Sequence, residues 1–179
     1  MSGWLKFTNA VDWISEKLGT LASWTVLLAA LISAGNAVVR YGFDISSNGW
    51  LEIQWYLFAA TVMLGAPMVL KRNEHVRVDL IYGSIPSKVQ VLIDLFGLIL
   101  FLLPVMGFLV WLSYPLFLKM LISGEVSSNA GGLVRWPAMM LLPLGFGWLC
   151  VQGLSEIIKR VAHLKGLIVM DTHYEKPVQ

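Results

Sequence analysis

Four long apolar segments separated by short polar stretches make up most of the chain. They occupy about residues 18–39, 51–70, 91–118 and 137–157. Each is close to or above the ~20 residues that an α-helix needs to cross the ~30 Å hydrocarbon core of a bilayer, and each is apolar on every face. The strands of a membrane barrel would instead alternate in polarity over ~10 residues. The pattern therefore predicts an all-α integral membrane protein with four transmembrane helices.

The segment that precedes the first apolar run is two-sided. Its residues recur at helical spacing, with Trp4, Phe7, Val11, Ile14 and Leu18 on the apolar side and Lys6, Asn9, Asp12 and Glu16 on the polar side. This pattern is typical of a helix that lies in the membrane interface. We therefore predict an N-terminal interfacial amphipathic helix within residues 1–17, a transmembrane domain over 18–160 and a cytoplasmic tail over 161–179.

The stretches between the apolar runs differ in character. Residues 71–82 mix charged and apolar side chains, which predicts an amphipathic arm on the cytoplasmic side between helices two and three. Ser84 and Pro86 resemble the start signal of the third helix. Pro104 and Pro115 inside that helix, which is longer than a bilayer needs, predict a kink, a tilt or a partly interfacial start. The polar, glycine-rich stretch 123–132 predicts a flexible extracytoplasmic loop.

Basic residues set the predicted orientation. Of the 13 Lys and Arg residues, only Arg40, Lys119 and Arg135 lie in the first and third loops. Cytoplasmic segments retain an excess of Lys and Arg, so we expect both termini in the cytoplasm. The composition is 57% hydrophobic and 13% charged, with a net charge of +2. These values exclude a disordered chain and the one-sided basic surface that nucleic acids require.

Few residues offer catalytic or cofactor chemistry. The three histidines, His75, His163 and His173, lie outside the apolar runs, where they cannot hold a haem inside the bundle. Cys150 is the single cysteine, which excludes an internal disulfide. The phosphate-binding loop of ATP-driven proteins is absent, and no carboxylate lies near the middle of a span. We therefore expect no enzyme activity, catalytic residue, cofactor or metal ion in this chain.

Four ionisable residues near the ends of the spans have structural interpretations. Asp94 and Glu156 are expected to reach water or lipid headgroups, because both lie about one turn inside a predicted span end. Arg40 and Glu52 flank the short first loop on the same predicted face. An ion pair between them is expected to hold that loop in place.

Small residues mark possible helix contacts, since close approach of helices in lipid depends on small side chains. Gly65 and Ala66 lie in the second apolar run, and Gly145 and Gly147 lie in the fourth. We predict that they pack against another span of this chain or against a partner subunit. Gln152, near the end of the fourth run, could hydrogen-bond between helices.

A series of short motifs resembles the small permease subunit (the Q-type subunit) of tripartite ATP-independent periplasmic (TRAP) transporters. In chain order they are Asn36-Ala37-Val38-Val39-Arg40-Tyr41, Trp50-Leu51-Glu52, Leu64-Gly65-Ala66, Asn73-Glu74-His75-Val76-Arg77-Val78-Asp79, Gly131-Gly132-Leu133, Trp136-Pro137 and Pro143-Leu144-Gly145-Phe146. Each motif is short, so the resemblance rests on their order and spacing across four spans, from about residue 15 to residue 160.

The resemblance implies a three-part importer in the bacterial inner membrane. Its parts are a periplasmic solute-binding protein, a large elevator-type permease, and a small subunit that packs against the static scaffold of the large one. It also implies sodium-coupled uptake of organic acids such as C4-dicarboxylates, sialic acids or keto acids. The sodium site is expected in the large subunit, and the small subunit is not expected to hold the solute.

Charged residues near or outside the span ends are candidates for contacts within this three-part assembly. We expect His75, Arg77 and Asp79 to position the cytoplasmic arm. The candidates for contact with the solute-binding protein at the outer face are Arg40, Glu52, Glu125 and Arg135.

Two other functions stay open at the level of the residues. One is an autonomous homo-oligomeric carrier of small solutes, which the lack of an ionisable residue at mid-span disfavours. The other is a membrane anchor or assembly subunit of a respiratory complex, which the lack of haem ligands inside the spans disfavours.

Overall fold

Four helical spans make up the part of the chain that the structure, a computed structural model, describes. The described residues are 3–45, 47–74 and 85–169. The helices are α1 (Gly3–Phe43), α2 (Asn48–Arg72), α3 (Ser87–Gly97), a π-helical turn (Leu98–Leu102), α4 (Leu103–Ser123) and α5 (Trp136–Leu164). The segments α3, π-helical turn and α4 form one continuous third span, Ser87–Ser123. All four spans are long and apolar enough to cross a membrane, which confirms the predicted fold class.

The ends of α2 and α4 show why these helices stop where they do. Asn73 has a positive φ of 60°, and its N–H donates to Leu70 O at 3.2 Å. The next N–H, that of Glu74, donates to Val69 O at 3.2 Å. These bonds satisfy carbonyl groups that would otherwise lack partners at the helix end. Gly124, with φ 59°, ends α4 in the same left-handed conformation, which glycine adopts without strain.

The π-helical turn ends two residues before Pro104, one of the two prolines on which the predicted kink rests, whereas Pro115 lies inside α4. A proline ring collides with the carbonyl four residues earlier in a regular α-helix, which here belongs to Leu100. In the structure the N–H of Leu103 bonds to Leu98 O, five residues back. The wider turn accommodates the proline without ending the span.

Helices α1 and α2 pack antiparallel with a regular register. Residues about three positions further along α1 face residues about three positions earlier in α2. The facing pairs are Glu16 with Lys71, Gly19 with Met68, Ala22 with Gly65, and Thr25 with Thr61. Helix α5 contacts α1, α2 and the third span, so it is the central helix of the bundle.

The interior of the bundle is small and largely polar. Buried side chains include Ser15 and Gln152, whereas large apolar side chains such as Leu31, Phe58 and Leu112 face outward. A soluble protein would show the opposite distribution. Lipid tails solvate apolar side chains, so this distribution is the one expected of a bundle that crosses a bilayer.

The first helix differs from its prediction. Residues 1–17 were predicted to form a separate interfacial helix, but the described part, from Gly3 onward, continues without a break into the first span. Gly19 is tolerated inside this helix because it gives Met68 of α2 room to approach. Asp12 and Glu16, predicted on the polar side of an interfacial helix, contact other spans of the bundle.

Candidate functional site

Polar side chains gather at the inner end of the bundle, which is the end nearest both termini and the predicted cytoplasmic end. On α5 a polar or hydrogen-bonding side chain occurs at every fourth position from Trp148 to Arg160, so these side chains share one helix face. That face meets polar residues of α1 and α3. The inner polar cluster defined in this way consists of Asp12, Ser15, Asp94, Trp148, Gln152, Glu156, Lys159 and Arg160.

Side-chain hydrogen bonds in this cluster join α1 to α5. Ser15 Oγ donates to Gln152 Oε1 at 2.7 Å and accepts a hydrogen bond from Trp148 Nε1 at 2.9 Å. Gln152 Nε2 donates to Asp12 Oδ1 and to Glu156 Oε1, both at 3.0 Å. Ser15 and Gln152 are completely buried. The predicted interhelical role of Gln152 is confirmed, and the network fixes how the two helices face each other.

Ion pairs extend the cluster to α3. Lys159 Nζ lies 3.0 Å from Asp12 Oδ2 and also contacts Glu156. Arg160 Nη1 lies 2.5 Å from Glu156 Oε2, and Arg160 Nη2 lies 3.2 Å from Asp94 Oδ2. Glu156 is only 2% exposed, so the expectation that it reaches water or headgroups is wrong. Asp94, with its side chain 13% exposed, is likewise engaged with Arg160.

A further ion pair brings α2 to the same end. Lys71 Nζ lies 2.7 Å from Glu16 Oε1, and the Glu16 side chain is half exposed. Together with the ion pairs of the inner polar cluster, the pair between Lys71 and Glu16 connects all four spans at the inner end. The spacing of Gln152, Glu156 and Arg160 at four-residue intervals was a sequence signal for this arrangement. Asp12, the partner of Gln152 and Lys159, lies 140 residues before Gln152 and could not be identified without the packing of α1.

At the outer end, the loop between α4 and α5 is folded against α2. We call residues 124–135 the outer loop. Glu52, 3% exposed, accepts hydrogen bonds from Ser127 Oγ, from Asn129 Nδ2 at 2.7 Å and from the N–H of Leu133 at 2.7 Å. The sequence predicted a flexible loop here. The structure instead shows a loop held by a buried carboxylate.

The predicted ion pair between Arg40 and Glu52 is wrong. Both Glu52 carboxylate oxygens are engaged by the outer loop, and Arg40 is exposed. The register of α1 against α2, continued outward, places Gly35 level with Glu52, so Arg40 lies more than one helical turn further out. Glu125 and Arg135, two other candidates at this face, pair with each other at 2.6 Å.

The small residues predicted for packing divide into two groups. The space beside Gly145 is occupied by another helix of the same chain, because a Cβ atom at Gly145 would lie 2.7 Å from Met63 Cβ of α2. Gly147 faces α4 more loosely, with Val110 at 4.0 Å from such an atom. The packing that Gly145 supports is therefore internal to this bundle.

Gly65 and Ala66 border an open groove along the α1–α2 seam. A Cβ atom at Gly65 would meet only Ala22 Cβ, at 3.6 Å. The groove has a volume of about 410 Å³, and apart from Met68 its walls are formed by small or branched residues. The lining residues are Gly19, Ala22, Ser23, Val26, Thr61, Val62, Gly65, Ala66, Met68 and Val69. Unlike the site of Gly145, this seam leaves space that no part of the described chain fills.

The remaining candidates give no further site. His75, Arg77 and Asp79 lie outside the described residues, so their role in positioning a cytoplasmic arm stays a prediction. Within residues 3–45, 47–74 and 85–169, no three His, Cys, Asp or Glu side chains are grouped so as to hold a metal ion.

Comparison with known proteins identifies similar chains. Residues 29–163, which are 135 of the 179 residues, match the family described as tripartite ATP-independent periplasmic transporters, DctQ component. A Haemophilus influenzae protein named "Putative TRAP transporter small permease protein" is 29% identical over 85 residues. That alignment covers 48% of this chain and 53% of the relative, so the chain spans about half the length of the relative it matches. No solved structure matches the chain significantly.

Proposed function

The chain belongs to the DctQ component family of tripartite ATP-independent periplasmic transporters, and from this membership we propose that it packs against and stabilises the scaffold of a large elevator-type permease. In this proposal a periplasmic solute-binding protein delivers an organic acid, such as a C4-dicarboxylate, sialic acid or keto acid. The large subunit carries the acid across the bacterial inner membrane and holds the coupling sodium ions. The family match carries the proposal.

The open α1–α2 groove supports a packing role for this chain. Helices associate in lipid through close contact of small residues rather than through hydrophobicity. The groove is lined by Gly65, Ala66 and the buried Ala22, among others, and has room for side chains of another helix. We propose that a scaffold helix of the large permease occupies it.

The position of the buried ionisable side chains also favours an accessory role. Among the described residues the buried charged side chains are Glu52, Glu156 and Arg160, and all three lie near helix ends. They are engaged in contacts inside the chain. A transporter that acts alone is expected to keep polar or ionisable groups near the middle of the membrane for its substrate or coupling ion.

The test is purification of the tagged chain from native membranes in mild detergent, followed by mass spectrometry. We expect a large multi-span permease in stoichiometric amount. Gly65→Leu should lower its recovery severalfold, because the leucine side chain would fill the groove. Gly107→Leu is the matched control, since Gly107 is exposed on α4 and a Cβ atom there meets nothing within 4 Å.

Three results would contradict the proposal or its assignment of the groove. Recovery of the chain without a permease would contradict a role in stabilising the permease scaffold. Recovery together with redox subunits would instead support the role of an anchor in a respiratory complex. Equal permease recovery from the two glycine variants would show that the large subunit does not occupy the groove.

A further inference from the structure

A cavity of about 310 Å³ lies beside the outer half of α1, where the chain turns into α2. Residues between Leu28 and Val39 form its wall on α1, and Ile45, Ser47 and Trp50 close its outer end. We call this cavity the outer pocket. Its volume lies within the range of about 300–1,000 Å³ that is usual for ligand pockets.

The length of the outer pocket matches the depth of one lipid leaflet. Leu28 and Val39 are eleven residues apart, which corresponds to about 16 Å along an α-helix. One leaflet contributes about half of the ~30 Å hydrocarbon core of a bilayer. Trp50, which is 53% exposed, lies at the outer end, and tryptophan is typical of the boundary between hydrocarbon and headgroups. An extended acyl chain has the shape that this apolar space requires.

Two polar side chains also line the outer pocket. Within the described part of the chain, neither the Asn36 amide nor the Ser47 hydroxyl has a hydrogen-bond partner, and Ser47 does not cap α2 although it directly precedes that helix. Hydrocarbon offers no partner to such groups. The ester carbonyl groups of a phospholipid join the acyl chains to the headgroup and accept hydrogen bonds from amides and hydroxyls. A phospholipid therefore matches both the apolar and the polar parts of the lining.

The outer pocket and the α1–α2 groove open on opposite sides of α1. Each α1 residue that lines the groove has a counterpart nine positions later in the outer pocket. The pairs are Gly19 with Leu28, Ala22 with Leu31, Ser23 with Ile32, and Val26 with Gly35. Nine residues make about two and a half turns at ~3.6 residues per turn. A permease helix in the groove therefore leaves the outer pocket facing lipid.

We propose that the outer pocket binds one acyl chain of a membrane phospholipid, whose ester groups accept hydrogen bonds from Asn36 and Ser47. Gly35 keeps the space open, because a Cβ atom there would meet nothing within 4 Å. A larger side chain at this position fills the pocket without displacing protein atoms. The site is built from this chain alone, so it does not depend on the presence of the permease.

The experiment counts the phospholipid molecules that stay bound to the tagged full-length chain. The chain, with any subunits that copurify, is placed in nanodiscs of phosphatidylethanolamine and phosphatidylglycerol and released for native mass spectrometry. We expect one retained phospholipid per copy of the unmodified chain. Gly35→Leu should lower this retention about tenfold, because the leucine displaces several methylene groups of the lipid.

Two further variants sharpen the test. Gly107→Leu is the matched control, because it makes the same change at an exposed glycine of α4, outside the pocket, where a Cβ atom also meets nothing within 4 Å. Its retention should equal that of the unmodified chain. Asn36→Leu keeps the pocket apolar but removes the amide donor, and it should lower retention severalfold. Should Gly35→Leu fail to fold, Leu31→Trp fills the same pocket from a position that is 59% exposed and should give the same loss.

Several outcomes would overturn the proposal. Equal retention by the unmodified chain and the pocket-filling variant would show that the lipid binds elsewhere. Retention of a detergent or a free fatty acid in place of a phospholipid would refute the assigned ligand, and full retention by Asn36→Leu would refute the role of the ester groups. Loss of the permease from Gly35→Leu would assign the pocket to the large subunit. Failure of the unmodified chain to copurify with a permease would refute the proposed function only, because lipid retention is measured on the chain itself.

Discussion

At the scale of single residues, burial decides what an ion pair contributes. Glu156 and Glu16 are both glutamates at the inner end, and both pair with a basic residue. The Glu156 side chain is 3% exposed and contacts two cations, whereas the Glu16 side chain is 50% exposed and contacts one. Water and salt screen the exposed pair, but they cannot replace a lost partner of the buried one.

Replacement of Glu156 should therefore be costly. Glu156→Gln leaves Arg160 buried with part of its charge uncompensated, and breaking a buried pair in this way costs about 3–5 kcal/mol of folding free energy. The measurement is thermal unfolding of the purified chain in detergent. Glu16→Gln is the matched control and should shift the melting temperature little. Equal shifts for the two variants would contradict the importance of burial at Glu156.

Of the inner polar cluster, the sequence predicted the interhelical role of Gln152, which is confirmed. The four-residue spacing of Gln152, Glu156 and Arg160, which places them on one helix face, was a signal that the sequence analysis did not use. Glu156 was interpreted as reaching water because a carboxylate near a span end usually does so. In the structure it contacts Lys159 and Arg160, which in turn pair with Asp12 of α1 and Asp94 of α3. These partners depend on helix packing that local sequence does not encode.

At the scale of helices, small residues set the spacing between α2 and α5. Gly145 faces Met63 so closely that a Cβ atom would lie 2.7 Å from Met63 Cβ and 3.0 Å from its backbone oxygen. Backbone cannot move aside as a flexible side chain can. Close approach of α2 and α5 therefore requires glycine at this position.

Gly145→Ala should push α2 away from α5. Overpacking of this kind costs about 1–3 kcal/mol, and we expect a lower melting temperature together with a lower yield of folded chain. Gly147→Ala is the matched control on the same helix, because the nearest atom to the new Cβ is 4.0 Å away. It should be neutral or slightly stabilising, since alanine favours a helix by up to about 1 kcal/mol over glycine. Identical behaviour of the two variants would show that Met63 yields without cost.

The helices themselves were predictable, and their connections were not. Length and hydropathy placed all four apolar runs inside observed helices because crossing lipid demands both. Gly19 of α1 lies against Met68 of the next helix, α2. The order of the outer loop depends on Glu52, which lies 81 residues before its hydrogen-bond partner Leu133. Such long-range contacts have no local signature in the sequence.

At the scale of the whole molecule, the distribution of polarity suits a static part of a larger assembly. Contacts of charged side chains hold the described helices together at both ends of the bundle, and the surface between the two ends is apolar. Contacts at both ends of the same helices oppose relative movement of the spans. A scaffold requires this rigidity, whereas a carrier must open alternately to each side of the membrane.

Reconstitution distinguishes these two mechanical roles. The chain alone in liposomes should give no uptake of radiolabelled succinate, N-acetylneuraminate or pyruvate above that of empty liposomes under an inward sodium gradient. Addition of the cognate large permease and solute-binding protein should give uptake of at least one organic acid, and replacing sodium with potassium should abolish it. Reconstitution of the permease and the solute-binding protein without this chain should give less uptake, because the scaffold then lacks the small subunit. Solute flux from the chain alone would show that it is an autonomous carrier. A bundle whose spans are held together at both ends does not open alternately to the two sides of the membrane, so the scaffold role would then be wrong.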